Sequence, residues 1–142
     1  MIRVVIDANI FVSAILKPNS NPDKIIDLVQ KGRITLLISH EIMTEIKRVL
    51  LYPKIRKVLN LGVKEIEESL TEVTKAAVTT PGKIRLDAVK HDPDDNRYLE
   101  CAVEGQADFI ISGDHHLTDL KTFRGIKIVD SVTFLNLIKE ST

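Results

Sequence analysis

The sequence has few of the residues that mark secreted, membrane-bound or strongly basic proteins. It contains one cysteine in 142 residues and so cannot form an internal disulfide, which favours a cytoplasmic location. No apolar stretch approaches the roughly 20 residues needed to cross a bilayer, so we expect no membrane partner. Twenty basic and twenty acidic residues cancel, which argues against a histone-like nucleic-acid binder but allows local basic patches. Aromatic residues are 4% of the chain, so few bases could stack on its surface.

The composition is otherwise that of a globular domain. Hydrophobic residues are 44% and charged residues 28%, and no repeat or linker interrupts the chain, so we expect residues 1–142 to form one domain. Strand-like apolar runs alternate with amphipathic helical segments, which predicts an α/β sandwich with a mostly parallel sheet. The predicted strands are 3–6, 35–38, 84–89, 107–111 and 126–129, and the predicted helices are 21–31, 40–51, 63–77 and 92–104. A last helix follows residue 131, with an inner face of Val132, Leu135 and Ile138.

Four acidic residues occupy positions where burial of a carboxylate is expected and costly. Two of them end apolar runs at predicted strand tips, where open α/β sheets bind their ligands. One borders the apolar stripe of the helix 40–51, and one heads the stripe of the helix 92–104. The helical spacing places Asp95, rather than the nearby Asp92 or Asp94, on the face of the helix that packs against the core. In chain order the four acids are Asp7, Glu45, Asp95 and Asp114.

Each acid also has an explanation that involves no chemistry. Asp7 could cap a helix over residues 9–16, and Asp95 could stabilise the first turn of its helix together with Asp92 and Pro93. Glu45 could pair with a neighbouring basic residue on the helix surface. Asp114 could simply be a turn aspartate.

Taken together, the four acids indicate a metal site. All their donor atoms are oxygens, and no cysteine or histidine pair has zinc spacing, so the expected ion is Mg²⁺ or Mn²⁺. Such a cluster suits phosphodiester hydrolysis, because a bound cation can lower the pKa of a water and stabilise the leaving oxygen.

Several polar residues could support this chemistry. Asn9 and Ser13 could orient a carboxylate or a metal-bound water, and Asn96 could assist Asp95. His115, directly after Asp114, could contact a phosphate or be an ordinary loop histidine. A basic stretch could contact the phosphates of a nucleic acid near Glu45 or form a solvated helix face; it consists of Lys47, Arg48, Lys54, Arg56 and Lys57.

Four sequence blocks resemble the PIN domain family, in the family's order and over nearly the whole chain. They are Val-Ile-Asp-Ala-Asn-Ile-Phe-Val-Ser-Ala at 5–14, Ser-His-Glu-Ile-Met-Thr-Glu-Ile at 39–46, Asp-Pro-Asp-Asp-Asn at 92–96 and Ile-Ser-Gly-Asp at 111–114. The chain is most similar to the prokaryotic members associated with toxin–antitoxin pairs, the VapC-like proteins.

This resemblance implies a five-stranded parallel sheet with helices on both faces. It implies that Asp7, Glu45, Asp95 and Asp114 hold one or two Mg²⁺ or Mn²⁺ ions and act in RNA cleavage by an activated water. Asn9, Ser112 and Asn96 would support these ligands, and Asp92 would be a further acid at the site. The resemblance also implies a homodimer and a cognate antitoxin. His115 stands where this family often has Lys or Arg.

Three alternative functions stay open at this point. The chain could be a PIN nuclease of RNA processing or decay, outside any toxin–antitoxin pair. It could be a non-catalytic RNA-binding PIN module. It could also be a phosphoryl-acceptor protein using Asp7, although Asn9 replaces the second acid of the usual Asp-x-Asp motif. The apolar segments 25–29 and 42–50 could contact a partner or belong to the core.

Overall fold

The computed structural model of the protein describes residues 1–89 and 95–140. Its strands are β1 (Arg3–Ile6), β2 (Thr35–Ile38), β3 (Val78–Thr79), β4 (Phe109–Ile111), β5 (Thr122–Phe123) and β6 (Ile126–Val129). Its helices are α1 (Ala8–Leu16), α2 (Asn21–Gln30), α3 (His40–Leu50), α4 (Pro53–Leu59), α5 (Val63–Lys75), α6 (Asn96–Glu104), α7 (His115–Thr118) and α8 (Ser131–Glu140). No helix in these two ranges is long and apolar enough to cross a bilayer.

The strands form one mixed sheet in the order β3-β2-β1-β4-β6-β5. All neighbouring strands are parallel except β5, which is antiparallel to β6. Val4 and Val5 of the central strand β1 point to opposite faces, and both are fully buried, so helices cover both faces of the sheet. Helix α6 packs against β1, β2 and β4. The predicted α/β class and layered arrangement are therefore confirmed.

Helix α3 shows how the sequence places one acid beside the core. The Ser39 hydroxyl accepts a hydrogen bond from the backbone N–H of Ile42 at 3.2 Å and begins the helix, as predicted. Ile42, Ile46 and Leu50 then recur every four residues and are almost fully buried. Glu45 precedes Ile46 and is half-buried at the edge of this stripe. The segments 25–29 and 42–50 are therefore core rather than partner surface, since Ile25 is fully buried as well.

The predicted strand 84–89 is wrong, and its place in the sheet is taken by β3 at Val78–Thr79. The 82–89 segment runs along α6 instead. Glu104 accepts the backbone N–H groups of Gly82 and Lys83, Glu100 accepts that of Leu86, and Asn96 accepts those of Ala88 and Val89. These side chains recur every fourth residue, so they form a column along one face of α6. Because they take backbone donors of the segment, those groups do not join a strand ladder.

Further differences from prediction lie in short elements and at the C-terminus. The sheet has a sixth strand, β5, in addition to the five expected. Pro53 begins the short helix α4, as Pro at the first helical position often does. Of the predicted inner face of α8, Leu135 and Ile138 are half-buried and pack against the core, but Val132 is 53% exposed and Phe134 is the fully buried residue of the helix. Phe134 packs edge-to-face on Phe109 at 5.2 Å, which sets the rotation of α8.

Candidate active site

The sheet topology brings two of the four acids together. The chain leaves β1 towards β2 on one side and later returns to β4 on the other side, so β1 and β4 flank the switch point of the sheet. Ligand crevices of open α/β folds lie at this point, beyond the carboxyl ends of the strands. Ile6 pairs with Ile111 in the parallel register, so Asp7 and Ser112 follow side by side, and Asp114 comes two residues later.

Asp7 is a buried carboxylate held by two hydrogen bonds. It is 3% exposed. Its Oδ2 accepts a hydrogen bond from the Ser112 hydroxyl at 2.7 Å, and its Oδ1 accepts one from the backbone N–H of Asn9 at 2.9 Å. Burial raises the pKa of Asp7 above its ordinary value; these two hydrogen bonds oppose that rise, and the negative charge of Asp114 adds to it. Asp7 thus caps α1, but it does so at a position where its charge is disfavoured.

Ser112 links Asp7 to Asp114. Its hydroxyl is fully buried, donates to Asp7, and accepts a hydrogen bond from the backbone N–H of Asp114 at 3.0 Å. Asp114 is half-buried and caps α7, since its Oδ1 accepts the backbone N–H of His116 at 2.9 Å. The cap explanations for Asp7 and Asp114 are correct as local chemistry, but they do not account for a buried carboxylate whose ionised form is disfavoured by a second carboxylate nearby.

Glu45 reaches the same region through Tyr98 of α6. The Tyr98 hydroxyl donates a hydrogen bond to Glu45 Oε2 at 2.8 Å and accepts one from the backbone N–H of Ala8 at 3.1 Å. Burial raises the pKa of Tyr98, and the negative charge of Asp7 adds to this rise. No salt bridge joins Glu45 to Lys47 or Arg48 in the described parts of the chain, so its described partner is the phenol.

Asp95 lies at the beginning of α6 and is 5% exposed, as its helical phase predicts. It precedes Tyr98 by three positions and therefore lies on the same side of the helix. The described contacts of Asn96 are to the backbone of Ala88 and Val89. The prediction for Asp92 lies outside the described residues.

The other predicted residues take different positions around the acids. Asn9 is exposed and contributes its backbone N–H to Asp7, while Ser13 is half-buried one turn further along α1. His115 is exposed at the start of α7, next to Asp114, and its ring lies 4.6 Å from that of His116. Lys47 is exposed on α3.

A cavity of about 410 Å³ opens beside Glu45 and is lined by His40, Glu41, Thr44, Glu45, Arg48 and Arg97. Arg48 of the predicted basic stretch is part of its wall. Arg97 contacts Glu41 at 3.0 Å and the buried Glu100 at 2.7 Å, so its guanidinium is held in place at the cavity. The cavity thus places two cationic side chains next to one of the four acids.

The donor set suits a hard divalent cation. The acids offer oxygen atoms only, and a cation would offset the desolvation and repulsion that raise the pKa of Asp7. Within residues 1–89 and 95–140, however, no three acidic, histidine or cysteine side chains converge closely enough to form a ligand set. The residues best placed to bind the ion are therefore Asp7 and Asp114, which Ser112 connects, and Glu45, which is hydrogen-bonded to Tyr98.

Sequence reasoning missed Tyr98 and Arg97. The signal for Tyr98 was present, because a tyrosine inside an apolar helical stripe needs a partner for its hydroxyl. Its partners lie 53 and 90 positions away, so local spacing could not name them. Arg97 directly follows the third sequence block, residues 92–96, but only the fold shows that it shares a cavity with Glu45.

A parallel α/β sheet with buried carboxylates at its switch point defines the class of this protein as a PIN-like α/β domain. The PIN domain family model matches residues 3–116, and the chain belongs to the PIN domain family, a nuclease family. An uncharacterized protein of Methanocaldococcus jannaschii, MJ1680, is 37% identical over 120 residues, which span 84% of this chain and 76% of that protein.

Two crystal structures share the fold. PAE2754 from Pyrobaculum aerophilum superposes with a TM-score of 0.59 at 17% identity, over 98% of this chain and 90% of that chain. VapBC2 from Rickettsia felis, bound to a DNA fragment from its promoter, gives a TM-score of 0.57 at 14% identity, over 91% of this chain and 98% of that chain. At these identities the likeness concerns the fold.

Proposed function

We propose that this protein is a metal-dependent endoribonuclease and the toxin component of a type II toxin–antitoxin pair. The proposed ligands of one or two Mg²⁺ or Mn²⁺ ions are Asp7, Glu45, Asp95 and Asp114. Membership of a nuclease family supports the reaction class. The fold that the chain shares with VapBC2 from Rickettsia felis, together with the sequence blocks described above, supports the biological role.

The observation that carries the proposal is the pairing of Asp7 with Asp114 through Ser112. A protein that needed only a helix cap at Asp7 would be as well served by serine or asparagine, which carry no buried charge. Burial raises the pKa of the Asp7 carboxyl, and a second carboxylate lies nearby. Without a cation, this arrangement costs free energy. Costly titratable groups at a ligand crevice are typical of functional sites.

The residues have separate roles in this proposal. Asp7 and Asp114 form the base of the site, and the Ser112 hydroxyl connects them by donating to the Asp7 carboxylate and accepting the backbone N–H of Asp114. Together they would hold a divalent cation, which would supply the means to lower the pKa of an attacking water and to stabilise the charge on the leaving oxygen. Glu45 and Asp95 supply further oxygens from α3 and α6. Asn9, Ser13, Asn96 and Asp92 remain proposed supporting residues.

The proposed path of the RNA crosses the cavity beside Glu45. Arg48 and Arg97 line it, and both can contact phosphate oxygens there. His115 would contact the RNA on the other side of the site, next to Asp114. Lys47 lies on the exposed side of α3. Because Glu41, Glu45 and Glu100 balance these cations, we expect binding that depends on both the divalent ion and the salt concentration.

The test is cleavage of a defined single-stranded RNA by the purified protein. We expect cleavage with Mg²⁺ or Mn²⁺ and none with EDTA. The cleavage rate of Asp7→Asn should be lower by about 100-fold or more, because removing one group that stabilises a charged transition state typically has an effect of this size. Asp119→Asn is the matched control, since Asp119 is an exposed aspartate just after α7. Equal activity of Asp7→Asn and Asp119→Asn would contradict the proposal.

The proposed partners are a cognate antitoxin and a second copy of this chain. VapBC2 from Rickettsia felis supports the first. Helix α4 supports a surface for association, because none of its residues is buried and Val58 is 69% exposed. A neighbouring reading frame whose product binds DNA and inhibits cleavage would support the toxin role. A nuclease without such a neighbour would instead belong to RNA processing or decay, and sedimentation would decide the oligomeric state.

A further inference from the structure

Tyr98 connects the elements that carry three of the four proposed ligands. It lies on α6, three positions after Asp95, and is 2% exposed, among the largest fully buried side chains. Its hydroxyl contacts Glu45 on α3 and the backbone N–H of Ala8, the residue directly after Asp7. One oxygen atom therefore ties together α3, α6 and the turn between β1 and α1.

The geometry leaves Glu45 able to act on a ligand while Tyr98 holds it. The phenol donates to Oε2 of Glu45, and no described hydrogen bond occupies Oε1. Glu45 is only half-buried and lies at the end of a flexible side chain, so without the phenol it could turn to solvent, away from the negative charges of Asp7 and Asp114. Tyr98 offsets this tendency by holding one carboxylate oxygen and leaving the other available.

We propose that Tyr98 is a positioning residue of the acidic site, whose hydroxyl keeps the Glu45 carboxylate on the side of α3 that faces Asp7, where it would be available to a divalent cation. This inference rests on the proposed function for the identity of the cation. Residues that hydrogen-bond to a metal ligand and orient it typically change the metal affinity by about 10- to 100-fold. The Tyr98 hydroxyl, bonded to the Glu45 carboxylate, would be such a residue.

The chain offers a matched pair of variants, because it contains two tyrosines and no tryptophan. Tyr98→Phe keeps the buried ring and removes the hydroxyl. Tyr52→Phe makes the same chemical change at a residue that is 46% exposed and whose hydroxyl contacts Arg48. Titration of Mn²⁺ followed by calorimetry should show an affinity about tenfold lower or more for Tyr98→Phe, and an unchanged affinity for Tyr52→Phe. Equal affinities of the two variants would overturn the proposal and leave the proposed function standing.

A second measurement needs neither Tyr98→Phe nor the metal. In the Tyr52→Phe background all tyrosine emission comes from Tyr98. A phenol that donates to a carboxylate is quenched, because its excited state passes the proton to the acceptor. Changing Glu45 to Gln in this background should therefore raise the emission of Tyr98, since an amide is a far weaker proton acceptor. Unchanged emission would show that the hydroxyl does not hold Glu45 and would overturn the proposal even if Tyr98→Phe fails to fold.

The two measurements also separate this inference from the proposed function. Wild-type protein that binds no Mn²⁺ and cleaves no RNA would contradict the nuclease assignment, while the emission of Tyr98 would still decide whether its hydroxyl positions Glu45. In protein that does bind the cation, Mg²⁺ should change the emission of Tyr98 over the concentration range in which calorimetry detects binding. If the emission of Tyr98 did not change at saturating Mg²⁺, the proposed link between Tyr98 and cation binding would be contradicted.

Discussion

Replacing Asp7 by Asn should stabilise the protein in the absence of divalent cations. The carboxylate is 3% exposed, and burial together with the charge of Asp114 disfavours its ionised form. The asparagine oxygen can still accept the backbone N–H of Asn9, and its amide can donate to the Ser112 hydroxyl, so the local hydrogen bonds survive without the charge. Removing such a functional-site cost typically raises the free energy of unfolding by about 1 kcal/mol. For a chain of 142 residues this corresponds to roughly 3–4 °C in Tm.

The pH dependence of this gain has a definite sign. The pKa of Asp7 is raised in the folded state, so its unfavourable contribution is absent below its unfolded pKa, about 3.9, and develops as pH rises through the folded pKa. The stability advantage of Asp7→Asn should therefore be larger at neutral pH than at acidic pH, and it should disappear as the pH falls to the unfolded pKa of the aspartate. An advantage that is independent of pH would have another cause.

Divalent cations should reverse the order of stability. At a free Mg²⁺ concentration about 100 times Kd, binding stabilises the wild type by about 2.7 kcal/mol, whereas Asp7→Asn loses a ligand and gains little. The wild type should then be the more stable protein by roughly 1.7 kcal/mol. Thermal unfolding with EDTA and with excess Mg²⁺ measures both values, with Asp119→Asn as the surface control. A variant less stable than the wild type in EDTA at neutral pH would refute the reasoning.

The remaining predictions concern the scaffold. Glu100→Ala should cost about 3 kcal/mol in urea denaturation, because it leaves two arginines and the N–H of Leu86 without a buried acceptor, while Glu72→Ala on the surface should stay within about 0.5 kcal/mol. A small effect of Glu100→Ala would mean that the arginines find water instead. Gly105→Ala should destabilise by about 1–3 kcal/mol, since its Cβ would lie 2.7 Å from a methyl of the buried Leu37, whereas Gly113→Ala meets nothing within 4 Å. Equal stabilities of the two alanine variants would contradict this packing argument.

Periodicity and caps were enough to predict most of the parallel core. The stripe of α3 repeats at helical spacing after a serine cap, and the apolar residues of β1, β2 and β6 define strands with the predicted bounds. These features depend on neighbours within one or two turns, so the sequence displays them directly. The same holds for the inward phase of Asp95, which follows from its spacing to Leu99.

The features that prediction missed depend on contacts between distant residues. Residues 84–89 have the composition of a strand, but side chains of α6 compete for their backbone donors, and that competition is visible only in the fold. The phase of α8 is decided by Phe109 from another layer. The role of Tyr98 likewise depends on Glu45 and Ala8, which the chain brings close only after two crossovers. Each error therefore has tertiary contact, rather than local propensity, as its cause.

The column of Asn96, Glu100 and Glu104 has a consequence for how this protein can vary over evolution. Loops usually accept insertions and deletions, because their backbone groups bond to water. Here the 82–89 segment must present its N–H groups at intervals matched to one turn of α6, about 5.4 Å. A single residue inserted between Gly82 and Leu86 would shift the backbone N–H of Leu86 relative to that of Gly82. The almost fully buried Glu100 would then lose its backbone donor. Homologues should therefore change the length of this segment only together with the spacing of acceptors on the helix.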